Sequence, residues 1–221
     1  MASLLTLLVL LTQAPPSFAA LIAEAEKRNL ARESAINDEE AARLALEWLR
    51  ALKEVVDSSI SDPNLSSRTH PWFSKQTGTV FYNDLGGNWL IDAEVAWKLH
   101  ADYKETAAAD DLAWLAATLP KGGECEGYAP CYMAIANVQS GEYLRLHPRG
   151  RHTGEAMGAI IDAIERVEQM LDEYPTLFET SHCDDLMNEL AALEDAVQQA
   201  DAAEQARTSE KIHELASRCE P

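Results

Sequence analysis

Apolar residues recur at intervals of three or four along most of the chain, and this spacing is typical of helices with one buried face. The clearest case follows an acidic opening at Asp38, where Leu44, Trp48, Leu52 and Val55 share one side. Asp38 is a suitable helix cap, and the glutamates after it suit the positive end of the helix dipole. A chain with this pattern must bury helix faces against one another, so the sequence predicts an all-α fold.

Further helices follow from the same spacing and from the residues that interrupt it. One is capped by Asp92 and carries Val95 and Leu99, and the next begins near Ala107 and ends at Pro120. The remaining helices are predicted through Ile135 and Leu144, from about Thr153 to Tyr174 before Pro175, from Asp184, and from Asp201.

The chain contains no linker rich in glycine, serine or proline after its first twenty residues. A length of about 200 residues is enough for one sizeable hydrophobic core. Residues 21–221 are therefore predicted to form a single helical domain, an irregular array or bundle of antiparallel helix pairs. Its first segment, Leu21 to Leu30, is compatible with a helix but carries few large apolar residues.

The segment from Ser58 to Asn88 breaks the helical spacing, because prolines and glycines interrupt it. Residues 79–82 have the composition of a short strand, and residues 89–91 are predicted to pair with them as a β-hairpin near 79–91. Aromatic side chains such as Trp72 give this long loop enough apolar surface either to pack against the helices or to bind a ligand. Packing is the simpler expectation.

Residues 1–20 have the composition of a secretory signal peptide. The apolar run at residues 4–11 is too short to cross a bilayer, which needs about 20 residues. A proline pair follows, and the small residues around Ser17 and Ala19 favour cleavage after Ala19 or Ala20. The sequence thus predicts a periplasmic or secreted protein, with a buried N-terminal helix as the alternative. No later segment is long and apolar enough to be a transmembrane segment.

The charge of the chain is strongly acidic, with 37 acidic and 18 basic side chains and a formal net charge of −19 at pH 7. Nucleic-acid binding draws its affinity from lysine and arginine, and an acidic field repels the phosphate backbone. The sequence therefore predicts no nucleic-acid partner. Acidic helical surfaces also favour solubility, which is the simpler explanation of the charge.

Four cysteines in an exported chain predict two disulfide bonds, for which three pairings exist. Cys125 and Cys131 enclose a short loop that can close on itself. Cys183 and Cys219 lie at equal distances from a turn at Ala200, so two antiparallel helices would bring them together in a hairpin over residues 183–219. One straight helix would instead hold their ends roughly 50 Å apart.

Two stretches of the chain share a pattern. Leu99, Tyr103 and Asp111 have the same spacing as Tyr143, His147 and Glu155, which come 44 residues later. Each copy is predicted to be a helix, a short turn and a second helix with an acidic residue in its first turn. Repeats of this length are typical of stacked helix pairs.

The second copy reads Glu142-Tyr143-Leu144-x2-His147-Pro148-x-Gly150-x-His152-x2-Glu155-Ala156. It resembles the helix junction of tetratricopeptide-like proteins of the bacterial envelope, such as the β-barrel assembly lipoproteins and the Tol-Pal coordinator. The resemblance implies stacked helix pairs that present a surface to a protein or peptide partner. The cysteine loop at 125–131 departs from a regular repeat, so an irregular bundle with the same junction is the alternative. With residues 141–144, that loop is also similar to exported bacterial proteins of unassigned function.

Four residues around the predicted turn form the clearest basic cluster of the chain: His147, Arg149, Arg151 and His152. They are candidates to bind a carboxylate or phosphate, although such side chains more often satisfy helix ends.

Two glutamate–histidine pairs, Glu179 with His182 and Glu210 with His213, have the spacing of metal ligands on one helical face. Solvated polar side chains are the simpler interpretation of both pairs. No other constellation predicts a reaction or a cofactor. The sequence therefore predicts an exported, non-enzymatic binding or scaffolding protein of the bacterial cell envelope. The alternative is a metal-binding helical bundle, or an enzyme, that uses glutamate and histidine ligands.

Overall fold

The computed structural model describes residues 15–121, 124–174 and 182–219. The apolar run of the predicted signal lies outside these residues, as do the stop signal Pro175 and the candidate ligand Glu179. Within them the fold is all-α with one short hairpin, as the sequence predicts. The elements are α1 (Phe18–Glu33), α2 (Asp38–Ile60), β1 (Val80–Asn83), β2 (Asn88–Ile91), α3 (Ala93–Asp102), α4 (Ala109–Thr118), α5 (Ala129–Ala136), α6 (Glu142–Leu146), α7 (Thr153–Glu173), α8 (Cys183–Gln199) and α9 (Gln205–Ala216).

The first two helices are capped by side chains from outside them. Ser17 accepts a hydrogen bond from the Ala20 amide, so α1 begins before either predicted cleavage site. Asn37, and not the predicted Asp38, caps α2 by accepting from the Glu40 amide at 2.9 Å. Asp38 is the first helical residue, where its charge suits the helix dipole.

The predicted hairpin is confirmed. Its first strand begins and ends one residue later than predicted, and its second strand begins one residue earlier. β1 and β2 are antiparallel, and Val80 pairs with Ile91 while Tyr82 pairs with Trp89. Phe73, in a 3-10 turn before β1, is buried and stacks on Trp89 with ring centroids 5.0 Å apart. The aromatic side chains of the long loop therefore contribute to packing.

α5 and α6 form one continuous helix through a π-helical turn at Asn137–Gly141. The sequence predicts an ordinary helix through Ile135 and Leu144, and the turn is a departure from that prediction. Such turns occur often at functional sites. Here the turn lies between α4, α7 and α8, with Ser140 and Gly141 buried.

The buried apolar residues form two clusters that meet at α4. Leu112 and Ala116 belong to the first cluster, which is built by α1, α2, the hairpin and α3. Ala113 and Ala117 belong to the second cluster, which is built by α5 to α9. The two pairs lie on different faces of one helix, and α4 is therefore buried between two packed layers.

The C-terminal segment is a pair of helices, with α8 packed against α9 and a break after Gln199. Cys183 is bonded to Cys219 and Cys125 to Cys131, each with Cα atoms 5.5 Å apart. This is the expected pairing. The second helix is predicted to begin at Asp201, but α9 begins only at Gln205.

The Asp201 amide donates instead to the Pro148 carbonyl oxygen at 2.9 Å. This bond ties the turn between α8 and α9 to the turn between α6 and α7. In the described part of the chain, no helix is both long and apolar enough to cross a membrane.

Candidate functional site

The turn between α6 and α7 is held by Tyr143, a fully buried residue of α6. Its hydroxyl donates a hydrogen bond to Asp110 Oδ1 at 2.5 Å and accepts one from the His152 amide at 3.0 Å. The other oxygen of Asp110 accepts from the Arg151 amide at 2.8 Å. Asp110 and Tyr143 thus link the first turn of α4 to the start of α7. We call Asp110, Asp111 and Tyr143 the junction cluster.

Burial and hydrogen bonding set the ionisation of the junction cluster. Burial of the Tyr143 ring, together with its bond to the Asp110 carboxylate, raises the pKa of the Tyr143 hydroxyl well above its ordinary value. Burial opposes ionisation of Asp110, but the bonds from Tyr143 and Arg151 outweigh it and lower the pKa of Asp110. At neutral pH the pair is therefore a neutral hydroxyl that donates to a carboxylate, and it joins α6 to α4.

Asp111 holds the basic side chains of the same turn. Its carboxylate accepts from His152 Nε2 at 2.8 Å and lies 3.3 Å from Arg151 Nη2 and 3.6 Å from Arg50 Nη2. The His152 ring also stacks on Trp114 of α4, with centroids 5.4 Å apart. Arg151 and His152 therefore have carboxylate partners within the chain itself.

The four predicted site residues do not converge on one point. His147 contacts His100 of α3, while Arg149 is 85% exposed and its Nε lies 4.0 Å from Asp201 Oδ2. Asp110 and Asp111 were not predicted as the partners of this turn. Their one signal in the sequence is an acidic pair at the start of α4, which the helix dipole also explains.

His100 and His147 form a pair in which the two Nε2 atoms are 2.9 Å apart. One nitrogen donates and the other accepts, so at least one ring must be neutral. Burial lowers the pKa of both histidines, and the neighbouring His147 lowers that of His100 further. The carboxylate of Glu142 opposes the shift in His100, and that of Asp110 opposes the shift in His147. The pair bridges α3 and the end of α6.

A groove opens beside this pair, and we call it the Trp97 groove. Its volume is about 530 Å³, within the range of ligand sites in proteins. Its apolar part is formed by Trp97, Val138 and Leu146, and its polar part is formed by Glu94, His100, Lys104, Lys121 and Glu142. Val138 and Leu146 are 45% and 44% exposed, and both line this groove beside Trp97.

Glu210 and His213, the second candidate metal pair, are both exposed on α9. Among the residues with described positions, no group of three histidine, cysteine, aspartate or glutamate side chains is arranged to hold a metal ion. His182 stacks edge-on against Tyr128 at 4.9 Å, beside the first disulfide loop.

Comparison with known proteins found no matching protein-family model, no matching curated protein and no matching solved structure. The function of the chain must therefore be inferred from its own residues and geometry.

Proposed function

We propose that this chain is an exported, non-enzymatic helical binding protein of the bacterial cell envelope, and that the Trp97 groove binds a segment of a protein or peptide partner. The helix pairs α3–α4 and α6–α7, each with an acidic residue in the first turn of its second helix, support a tetratricopeptide-like arrangement. Proteins built in this way bind partners on a surface and not in an enclosed active site.

The observation that carries the proposal is the exposure of Val138 and Leu146 in the same groove as Trp97. Exposed apolar side chains that are scattered singly need no explanation, but a contiguous group in a concave surface is typical of a binding site. Aromatic side chains at the centre of such a site contribute much of the binding energy. Trp97 packs against both core clusters, and these contacts hold its side chain in place in the groove.

The charges around the groove indicate the chemistry of the partner. Lys104 and Lys121 line it, and neither forms an ion pair within the described residues. Glu94 and Glu142 line it as well. The charge of Glu142 is offset by Arg145 at 3.0 Å, which leaves two lysines against one glutamate. In a chain with a net charge of −19, two unpaired lysines beside an apolar groove favour a partner segment with apolar anchors and flanking acidic residues.

Binding can be tested with a photo-crosslinking residue placed at Lys104 and peptides selected from a random library. The double variant Val138→Asp, Leu146→Asp is expected to lose crosslinking, because it places charge where apolar anchors bind. The matched control Leu85→Asp changes an exposed leucine of the hairpin turn and should crosslink normally. Equal crosslinking of both variants, with unchanged circular dichroism, would refute the role of the groove.

Export is tested separately by N-terminal sequencing of the protein from the periplasm or the medium. We expect the mature chain to begin at Ala20 or Leu21. A product that keeps Met1 in that fraction would refute the signal peptide. Cleavage at either position would remove Phe18, whose ring lies 6.2 Å from that of Phe73, and with it the first residues of α1.

A further inference from the structure

A second cleft lies between α4, α5 and α7. Its volume is about 420 Å³, and it is distinct from the Trp97 groove because the two share no lining residue. The side chains that shape it are mostly apolar, and they include Trp114, Tyr132, Ile135, Gln139, Ala163 and Arg166. We call it the Trp114 cleft.

Arg166 of α7 is the only charged residue among those that line the cleft. Asp162 lies one turn earlier on α7, at the spacing that favours an ion pair. Arg166 nevertheless forms no ion pair or hydrogen bond within the described residues. Arg166 is exposed, so its guanidinium can reach a ligand at the cleft, and in a chain with about twice as many acidic as basic side chains it is suited to an anionic group.

The wall opposite α7 is held in place by the π-helical turn. Gln139, in that turn, donates from Nε2 to the Leu119 carbonyl oxygen at 2.7 Å, which joins the turn to the end of α4. On the same side, Trp114 is held by stacking on His152. A cleft with walls fixed by such contacts loses little entropy when a ligand enters it.

Two further donors line the cleft without a partner in the described structure, the indole N–H of Trp114 and the hydroxyl of Tyr132. Both rings are half-buried and add apolar surface. The cleft thus combines a large apolar lining, one cation, neutral donors and no carboxylate. With one cation and no carboxylate among its lining residues, the cleft favours an anionic ligand with an apolar body.

We propose that the Trp114 cleft binds a medium-chain aliphatic monocarboxylate, with its carboxylate on Arg166 and its chain between Trp114, Ile135 and Ala163. A planar guanidinium binds a carboxylate through two parallel hydrogen bonds, which explains the choice of an acid over an alcohol. The apolar chain supplies affinity in proportion to the surface it buries. This ligand site does not depend on the proposed partner groove.

The test uses the full mature protein and isothermal titration calorimetry with decanoate below its micelle concentration. We expect saturable binding at one site, with 1-decanol at least about tenfold weaker, because a charge-assisted hydrogen bond is lost. Arg166→Gln should weaken the binding of decanoate by a similar factor and leave the affinity for 1-decanol unchanged. Arg207→Gln, which removes an exposed arginine of α9 outside the cleft, is the matched control and should bind normally.

A second variant, Ala163→Phe, places a large side chain in the cleft one turn before Arg166 on α7, and it should abolish binding of both ligands while circular dichroism stays unchanged. Equal affinities for decanoate and 1-decanol, or an unchanged affinity in Arg166→Gln, would overturn the proposal. So would the absence of any decanoate binding. Tighter binding of apolar peptides with a free carboxyl terminus than of decanoate would assign the cleft to peptide ends instead.

Discussion

At Gly150, in the turn between α6 and α7, even one added methyl group has no space. A Cβ atom there would lie 2.2 Å from the Tyr143 hydroxyl, 2.7 Å from Asp110 Oδ1 and 2.9 Å from His147 Cβ. The need for glycine comes from close approach, since its backbone lies outside the left-handed region. The hydrogen bonds of the junction cluster therefore require a residue without a Cβ atom at position 150.

Gly150→Ala is expected to destabilise the protein by about 2–4 kcal/mol, through overpacking and loss of the Tyr143–Asp110 bond. The matched control is Gly158→Ala in α7, where an added Cβ meets nothing within 4 Å. That change should be neutral or stabilise the helix by up to about 1 kcal/mol. Urea unfolding of both variants measures the difference, and similar stabilities would contradict the role of Gly150.

Among the elements, the pair α8 and α9 is closed by the Cys183–Cys219 bond, whose two cysteines are 36 positions apart in sequence. The Cys125–Cys131 bond spans only six. Tyr128, inside this smaller loop, donates to Asp185 Oδ2 at 2.5 Å and so joins the loop to the start of α8. The two bonds differ mainly in how much of the unfolded chain they restrict.

Removing the disulfide bond that closes the larger loop should destabilise the protein more than removing the bond that closes the smaller loop. From chain entropy, the double variant Cys183→Ser, Cys219→Ser should lose about 4 kcal/mol and Cys125→Ser, Cys131→Ser about 2 kcal/mol. Thermal unfolding of the two variants under the same conditions measures this order.

Non-reducing peptide mapping of the unmodified protein should recover Cys183 joined to Cys219 and Cys125 joined to Cys131. A bridge between Cys183 and Cys125 would contradict the hairpin. Four free thiols in protein from the periplasm or medium would also argue against the proposed export to an oxidising compartment.

On the scale of the whole molecule, α4 is shared by the two core clusters, and the His100–His147 pair is a polar link between them. His100 belongs to α3, which packs in the first cluster, and His147 follows α6, which packs in the second. Within the fold, both rings are half-buried or buried and have lowered pKa values. The link therefore depends on pH.

The unfolded chain binds protons at these histidines near the ordinary pKa of 6.5, whereas the folded chain binds them only at lower pH. The contribution of the pair to stability is thus present above about pH 6.5 and is lost as the pH falls from there through the folded pKa. We expect the free energy of unfolding to decrease between about pH 7.5 and pH 5.5, above the range in which carboxylates titrate.

The double variant His100→Gln, His147→Gln should lose part of this pH dependence. The variant His213→Gln, at an exposed position of α9, should keep it. Urea unfolding at the two pH values measures the effect. The same pH dependence in both variants would show that the pair does not link stability to pH.

Local features of the sequence were enough to predict much of the fold. Helical spacing and caps such as Asp92 predict where most helices lie, because each depends on residues within a few turns. The hairpin at 79–91 and the pairing of Cys183 with Cys219 were predicted for the same reason, since short turns bring their ends together. The π-helical turn and the late start of α9 escaped prediction, because both depend on packing against other helices.

The candidate sites required the tertiary structure. Asp110 and Tyr143 are 33 residues apart in sequence, and Asp111 and His152 are 41 apart. Nothing in their local spacing indicates that they meet, because the angle at which α4 packs on α6 and α7 decides which side chains face one another. The same packing leaves Val138 and Leu146 exposed beside Trp97. Periodicity predicts which face of a helix is apolar, but only the arrangement of all the helices decides which apolar residues stay uncovered.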